Sequence, residues 1–417
     1  MLMPISEQAL PRYVYTGFRQ KPFFVFVTIR KNGSAALSME VNMKKITALL
    51  IVLCLILAGC SSGSASSGKP TEAPASEPTA EATPTELPAT PTPEPTATPT
   101  PEPSPTPSPT PSPEELAAAY RSEIEFVDNT YVTMPRGYTD EITYPGSIEI
   151  FTYTAATEDG REYEKTALAY LPYGYDANDS ETKYNVLYLM HGGGSHEYNY
   201  FKGPGQELSL KKILDKMHEE GLCRPTIVVT PTYKNPFMDE TSGSKNFYYE
   251  LVNYLIPAFE GTHNTYLSDT SIEGIRASRL HRAAAGFSLG SCCEWSIFQH
   301  ALDCVAYHIP VSGDCWTLDG GPDAIAQGLA DIVNEGCGPD GFLIYAVAGG
   351  TGDVAYNKLK PQVEAMEKLT DTFKRCDNYH DGNFYYYLDI LYGHSDSTVN
   401  AAVYNALPKF FRMDPEE

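Results

Sequence analysis

From residue 147 onward the hydrophobic and polar positions follow two alternating rhythms. Residues 147–153 partly alternate, as a half-exposed strand does. Glu158-Asp159-Gly160 forms a turn signal, and 166–171 reads as the returning strand of an antiparallel hairpin. The runs 184–190, 341–348 and 384–391 are aromatic and aliphatic, and 281–285 is short and rich in alanine, so all four suit buried strands. Between them, 208–219, 247–259 and 292–302 carry helical spacing, and 355–373 contains a further helix. This alternation predicts an α/β fold: a three-layer sandwich with a mainly parallel central sheet and an antiparallel N-terminal hairpin at its edge. No internal repeat is visible.

The first part of the chain has a different character. Met43-Lys44-Lys45 opens a basic stretch followed by an apolar run over 46–58, which is shorter than the roughly 20 residues a membrane span needs. The run ends in Leu57-Ala58-Gly59-Cys60, which resembles the bacterial lipobox. That resemblance implies cleavage before Cys60, lipid attachment to its thiol, and a protein held outside the cytoplasm on the bacterial cell membrane. The alternative is a plain secreted or membrane-spanning segment. An export signal begins a protein, so residues 1–42 read as an upstream extension, with a long n-region as the alternative. Residues 61–113 are rich in Pro, Thr and Ser with almost nothing apolar to bury, which makes them a disordered linker. At roughly 3.1 Å per residue such a spacer reaches up to about 160 Å. The partition is therefore 1–42, signal 43–60, linker 61–113 and a globular domain over 114–417, about 300 residues and enough for one large core.

Charge narrows the partners. The 417 residues carry a formal charge of -23, with no basic patch that could drive counterion release from nucleic acid. Nine cysteines occur; Cys54 and Cys60 lie in the signal. The other seven form no C-x-x-C pair, so no zinc site is expected, and they read as mostly reduced, buried thiols with room for one disulfide.

Gly286-Phe287-Ser288-Leu289-Gly290 is the chemically informative stretch: a G-x-S-x-G between a predicted strand and a predicted helix. A serine needs a base to take its proton and an acid to orient that base. Among nine histidines, His394 alone follows a strong strand downstream of the serine and sits beside a glycine. His218 reads as a solvated helix residue. His300 and His308 read as packing or surface groups. His196, His263, His281 and His380 lie near loops or segment ends, with no partner suggested. Asp353, at the end of the 341–348 strand, is the favoured acid, and Asp314 the alternative. Asp389 falls inside a strand, and Asp396 reads as a turn residue. His191-Gly192-Gly193-Gly194 follows the 184–190 strand, and such a glycine run exposes backbone N–H groups. Gly193 or Gly194, with the N–H of Leu289, would hold a developing oxyanion, while His191 braces the loop. Trp316 and Asp314 are candidate substrate contacts. No metal or cofactor is required.

With Tyr170-Leu171-Pro172, Ile227-Val228-Val229-Thr230-Pro231, Ser312-Gly313-Asp314-Cys315-Trp316 and Leu407-Pro408-Lys409-Phe410-Phe411 added to these motifs, the stretch from about 167 to 411 resembles the feruloyl esterase modules of bacterial xylanases, in the esterase-D-like branch of the α/β-hydrolases. The resemblance implies Ser288 as nucleophile, Asp353 as acid and His394 as base. It also implies hydroxycinnamoyl esters of plant cell-wall arabinoxylan as substrate, with the linker as a tether towards an insoluble polymer. The chain departs from that pattern in Leu289-Gly290-Ser291 after the serine, in Ser395-Asp396 after the histidine, and at Cys315. An acetylxylan or other small-acyl esterase, or an acyltransferase, is the alternative within the fold. A non-catalytic carbohydrate-binding surface lipoprotein is the alternative of another class.

Overall fold

The computed structural model describes residues 131–206, 208–376 and 382–413, together with the backbone of two short segments nearer the start. The expected export signal with Cys60, the expected linker, the expected domain start at 114 and His380 lie outside the described residues. In the first unit, β1 (Phe24–Val27) pairs antiparallel with β2 (Met39–Asn42).

The second unit is built on an eight-stranded sheet in the order β10-β9-β8-β7-β5-β6-β4-β3. β3 (Ser147–Ala156) and β4 (Glu162–Leu171) form the antiparallel hairpin, and β4 pairs antiparallel with β6 (Thr226–Thr230). From β6 onward every pairing is parallel, through β5 (Asn185–Met190), β7 (Arg282–Phe287), β8 (Tyr307–Val311), β9 (Leu343–Gly349) and β10 (Phe384–Asp389). The expected layout is the observed one. The parallel strands are covered on both faces and so need no polar side, whereas edge strand β3 alternates between buried and exposed.

Helices α1 (Ser209–Glu219) and α8 (Asp396–Ala406) cover one face, with Leu210, Ile213, Val399 and Ala402 packed on the strands. The other face takes α2 (Glu240–Glu250), α3 (Ile256–Glu260), α5 (Leu289–Ala301), α6 (Pro322–Glu335) and α7 (Tyr356–Met366). Each large apolar side chain buried this way contributes about 1.5–3 kcal/mol. The alanines of β7 leave room for the helices to approach the central strand closely.

Three expectations need correction. The 247–259 helix begins earlier, at Glu240, because Asp239 caps it by accepting the Ser242 N–H at 3.0 Å, and its first turns carry no apolar face for periodicity to detect. It then widens into a π-helical turn, Leu251–Leu255, ahead of Pro257, which has no N–H for the carbonyl four residues back. His218 is not solvated: it is 1% exposed, with Nδ1 donating to the Leu214 carbonyl at 2.8 Å and Nε2 accepting the Thr226 N–H at 3.2 Å. Asp396 opens α8 rather than serving a turn. The described cysteines, Cys223, Cys292, Cys293, Cys304, Cys315, Cys337 and Cys376, are all free. Short α4 (Ile272–Ala277) carries a local signal, a Ser271 cap, whereas α6 opens on Pro322 and buries Ile325, Ala326, Leu329, Ala330 and Val333 along one face.

Candidate active site

The C-terminal ends of the parallel strands converge on Ser288. β7 ends one residue before it, α5 begins one residue after it, and its backbone is left-handed at φ 57°. A Cβ on Gly286 would lie 1.9 Å from the Gly290 carbonyl oxygen, and one on Gly290 would lie 2.4 Å from that of His191. The turn therefore closes only with glycine on both sides of the serine. The Ser288 N–H donates to the Val311 carbonyl at 2.9 Å, fixing the elbow to the end of β8.

His394 lies just past β10. Its Nε2 is 2.8 Å from Ser288 Oγ, and its Nδ1 is 2.8 Å from Asp353 Oδ1. A carboxylate can only accept, so Nδ1 carries the proton and Nε2 is free to receive one from the serine. Asp353, past the end of β9, is buried and accepts further N–H bonds from Gly349 on Oδ2 and Ala355 on Oδ1, each at 2.8 Å. The Ser312 hydroxyl also donates to Oδ2. Burial opposes the charge on Asp353, but the bonds from His394, Ser312, Ala355 and Gly349 outweigh it and hold the carboxyl below its usual range. Val354 and Ile390 stand open beside this pair, exposed by 77% and 81%.

Asp314 does not reach this relay; its carboxylate accepts the Trp316 indole N–H at 2.9 Å. Trp316 is itself exposed, three residues past Gly313, whose carbonyl is held by Ser291 Oγ at 2.9 Å and Trp295 Nε1 at 3.0 Å.

The N–H groups of Leu289 and Gly193 take no acceptor among the described residues, and a Cβ on Gly193 would sit 3.5 Å from Leu289 Cβ. Two unused donors thus stand side by side at the elbow. Gly194 departs from the expectation. Its φ of 77° turns the N–H outward to Glu240 Oε1 at 2.8 Å, where it is already satisfied. His191 is buried, with Nδ1 donating to the Gly192 carbonyl at 2.8 Å and Nε2 accepting from Thr232 Oγ1 at 2.7 Å. Burial lowers its pKa to about 4, so it is a neutral brace at neutral pH. Sequence reasoning missed the parts played here by Ser312, Thr232 and Glu240. Their only signal is position: a serine directly after β8, a threonine just past β6, and an acid at the first residue of α2.

No family model matches the chain. Over 282 residues it is 36% identical to endo-1,4-beta-xylanase Y of Acetivibrio thermocellus, a match covering 67% of this chain and 24% of that protein. The chain thus spans about a quarter of the length of that curated relative. Among solved structures, it is similar to a serine-to-alanine mutant of the feruloyl esterase module from Clostridium thermocellum complexed with sinapinate. The two are 34% identical with a TM-score of 0.62, covering 70% of this chain and 97% of that one. A ferulic acid esterase from Anaeromyces mucronatus shares the fold at 18% identity and a TM-score of 0.51, covering 68% of this chain and 98% of that one.

Proposed function

The chain belongs to the family of the feruloyl esterase modules, carboxylic ester hydrolases, and from that premise we propose that it is a serine esterase releasing ferulate or related hydroxycinnamates from plant arabinoxylan. The observation that carries this reading is the unbroken relay from Ser288 through His394 to Asp353, with both links at 2.8 Å.

In the proposed cycle Ser288 Oγ attacks the ester carbonyl as His394 Nε2 takes its proton. Asp353 fixes the imidazole tautomer and balances the imidazolium charge. The N–H groups of Leu289 and Gly193 receive the oxyanion, and removing one such donor typically costs about 10²–10³ in kcat. Collapse breaks the bond to the sugar oxygen, which leaves with the proton from His394. Water, deprotonated by His394, then attacks the acyl-enzyme, and the carboxylic acid leaves as Ser288 regains its proton. The apolar rim of Val354 and Ile390 suits an aromatic acyl group. The xylanase relative and the sinapinate-bound neighbour support the polymer and the acyl class, respectively. A lipid on Cys60 and the spacer over 61–113 would hold this activity at the outer face of the cell membrane.

The test expresses the full chain, Ser288→Ala and Cys60→Ala in a bacterium and assays methyl ferulate, acetylated xylan and 4-nitrophenyl acetate in membranes and medium. Ferulate release that is membrane-bound, lost in Ser288→Ala and freed into the medium by Cys60→Ala is expected. Turnover of acetyl esters alone would move the assignment to a deacetylase. No turnover of any ester would overturn the esterase reading, and activity indifferent to Cys60 would overturn the anchor.

A further inference from the structure

Gly193 has no side chain to steady it, so the direction of its N–H depends on what holds the peptides on either side. A trans peptide sets its C=O and N–H antiparallel, and the Gly192 carbonyl shares one plane with the Gly193 N–H. That carbonyl accepts from His191 Nδ1 at 2.8 Å and from the Ser195 N–H at 3.2 Å. The second bond closes a four-residue turn over 192–195, with Gly194 at φ 77° in its third position, as a type II turn requires. With its carbonyl held on one side, the first peptide presents the Gly193 N–H on the other. The next peptide is held from outside the turn, its Gly194 N–H donating to Glu240 Oε1 at 2.8 Å.

Both holds trace to one segment, 232–234, just past β6. Thr232 Oγ1 accepts the Lys234 N–H at 3.2 Å, so its own hydrogen goes to His191 Nε2 at 2.7 Å. The imidazole proton is thereby kept on Nδ1, where the Gly192 carbonyl needs it. Lys234 Nζ stands 3.5 Å from the same Glu240 oxygen that takes the Gly194 N–H. The buried Lys165 of β4 ties the segment down, donating to the carbonyls of Thr232 at 2.6 Å and Lys234 at 2.7 Å. Helix α2 lies directly on it, since a Cβ on Gly243 would come within 2.5 Å of the Tyr233 carbonyl oxygen. Glu240 is therefore carried on a helix whose start is fixed twice, by this contact and by the Asp239 cap.

Glu240 is the member of this frame that grips the turn without being buried in the core. Lys165, Thr232 and His191 are buried, whereas the Glu240 side chain is 34% exposed. An anionic side chain does nothing to stabilise the negative charge expected at Gly193, so what Glu240 supplies there is hydrogen-bond geometry. That geometry matters because both central residues of the turn are glycines, for which a flip of the peptide between them carries little steric cost. The bond from the Gly194 N–H opposes that flip and leaves Gly193 held from both sides.

We propose that Glu240, through the Gly194 N–H, is a positioning residue that keeps the Gly193 N–H aimed at the oxyanion of the ester reaction. The proposal rests on the esterase reading for that reaction. The test measures kcat and KM for methyl ferulate and 4-nitrophenyl acetate in the full chain, in Glu240→Ala and in Glu240→Gln, together with inhibition by an aryl trifluoromethyl ketone. Ser288 Oγ adds to that ketone, its proton passes to His394, and the ketone oxygen becomes the oxyanion. Losing the aim of one donor costs less than losing the donor. Glu240→Ala should therefore lower kcat about tenfold and weaken the ketone about tenfold, with KM within about twofold. Glu240→Gln keeps an acceptor oxygen and should recover most of both losses. Hydrogen exchange read by peptide mass spectrometry needs no turnover: in Glu240→Ala one amide within 190–195 should exchange about tenfold faster. An unchanged kcat in Glu240→Ala, a Gln variant as slow as the Ala variant, or unaltered exchange over 190–195 overturns the proposal. Failure of the unsubstituted chain to turn over either ester and to bind the ketone would instead count against the esterase reading, and the exchange measurement would still decide whether Glu240 holds the turn.

Discussion

Two serines at the ends of adjacent strands carry left-handed backbones, Ser288 at φ 57° and Ser312 at φ 55°. Such a conformation costs a non-glycine residue on the order of 1–2 kcal/mol and persists only where the surroundings impose it. In each case the N–H is taken by the next strand, Ser288 by Val311 and Ser312 by Val347 at 2.8 Å, which aims the hydroxyl inward. The Ser288 hydroxyl meets His394. The Ser312 hydroxyl occupies Asp353 Oδ2, leaving Oδ1 to the histidine. Ser312 is thus a positioning residue, and its bond stabilises the charged carboxylate. Ser312→Ala should lower kcat about tenfold, the worth of one hydrogen bond to a charged group, with KM little changed. Ser312→Gly removes the same hydroxyl while relieving the backbone, so it should lose as much kcat yet recover stability. A Gly variant of normal kcat would show that the backbone, not the hydroxyl, matters. Ser288 and His394 were legible in the chain because a motif and a strand end mark them. Ser312 was not, because its φ and hydroxyl direction come from the pairing of β8 with β9.

Elements were legible where one period dominates. Continuous apolar runs marked the parallel strands, and alternation marked the edge hairpin. Where local capping or tertiary packing sets the outcome, periodicity failed, as at the start of α2 and at His218, whose polar-looking helix turns it inward. Arg282 is a related case: the first residue of β7 is a charge only 1% exposed. Its Nε and Nη2 donate to Glu260 at the end of α3, both at 2.7 Å, and its Nη1 donates to the carbonyls of Ile275 at 3.0 Å and Cys304 at 2.6 Å. This fork ties the strand beneath the serine elbow to the helices around it. Glu260→Ala would strand the guanidinium without its counter-charge, a change that typically costs about 3–5 kcal/mol. Urea unfolding should show that loss, and Arg282→Met with Glu260→Leu should cost clearly less than Glu260→Ala alone. Equal losses would mean that the hydrogen bonds of the pair itself, not a stranded charge, carry the stability.

At the scale of the whole molecule, function follows from sheet order. β7, β9 and β10 deliver serine, aspartate and histidine in chain order to one end of a parallel sheet, and β5 brings the glycine turn to the same end. That much was legible, since each group follows a recognisable strand. The cavity between the hairpin tip and α2 was not, because it gathers residues from the hairpin tip, the segment after β6 and α2, which no motif links. The exclusion of Gly194 likewise needed the contact with Glu240. The central claim is that Ser288 is a nucleophile activated through His394 by Asp353. The most direct measurement reacts the full chain with a fluorophosphonate and maps the adduct by peptide mass spectrometry, alongside His394→Ala and Asp353→Asn. The account predicts a single adduct on the peptide containing Ser288, slowed on the order of 10³-fold or more in either variant. An adduct on another serine, or labelling of Ser288 at an undiminished rate without His394, would contradict it.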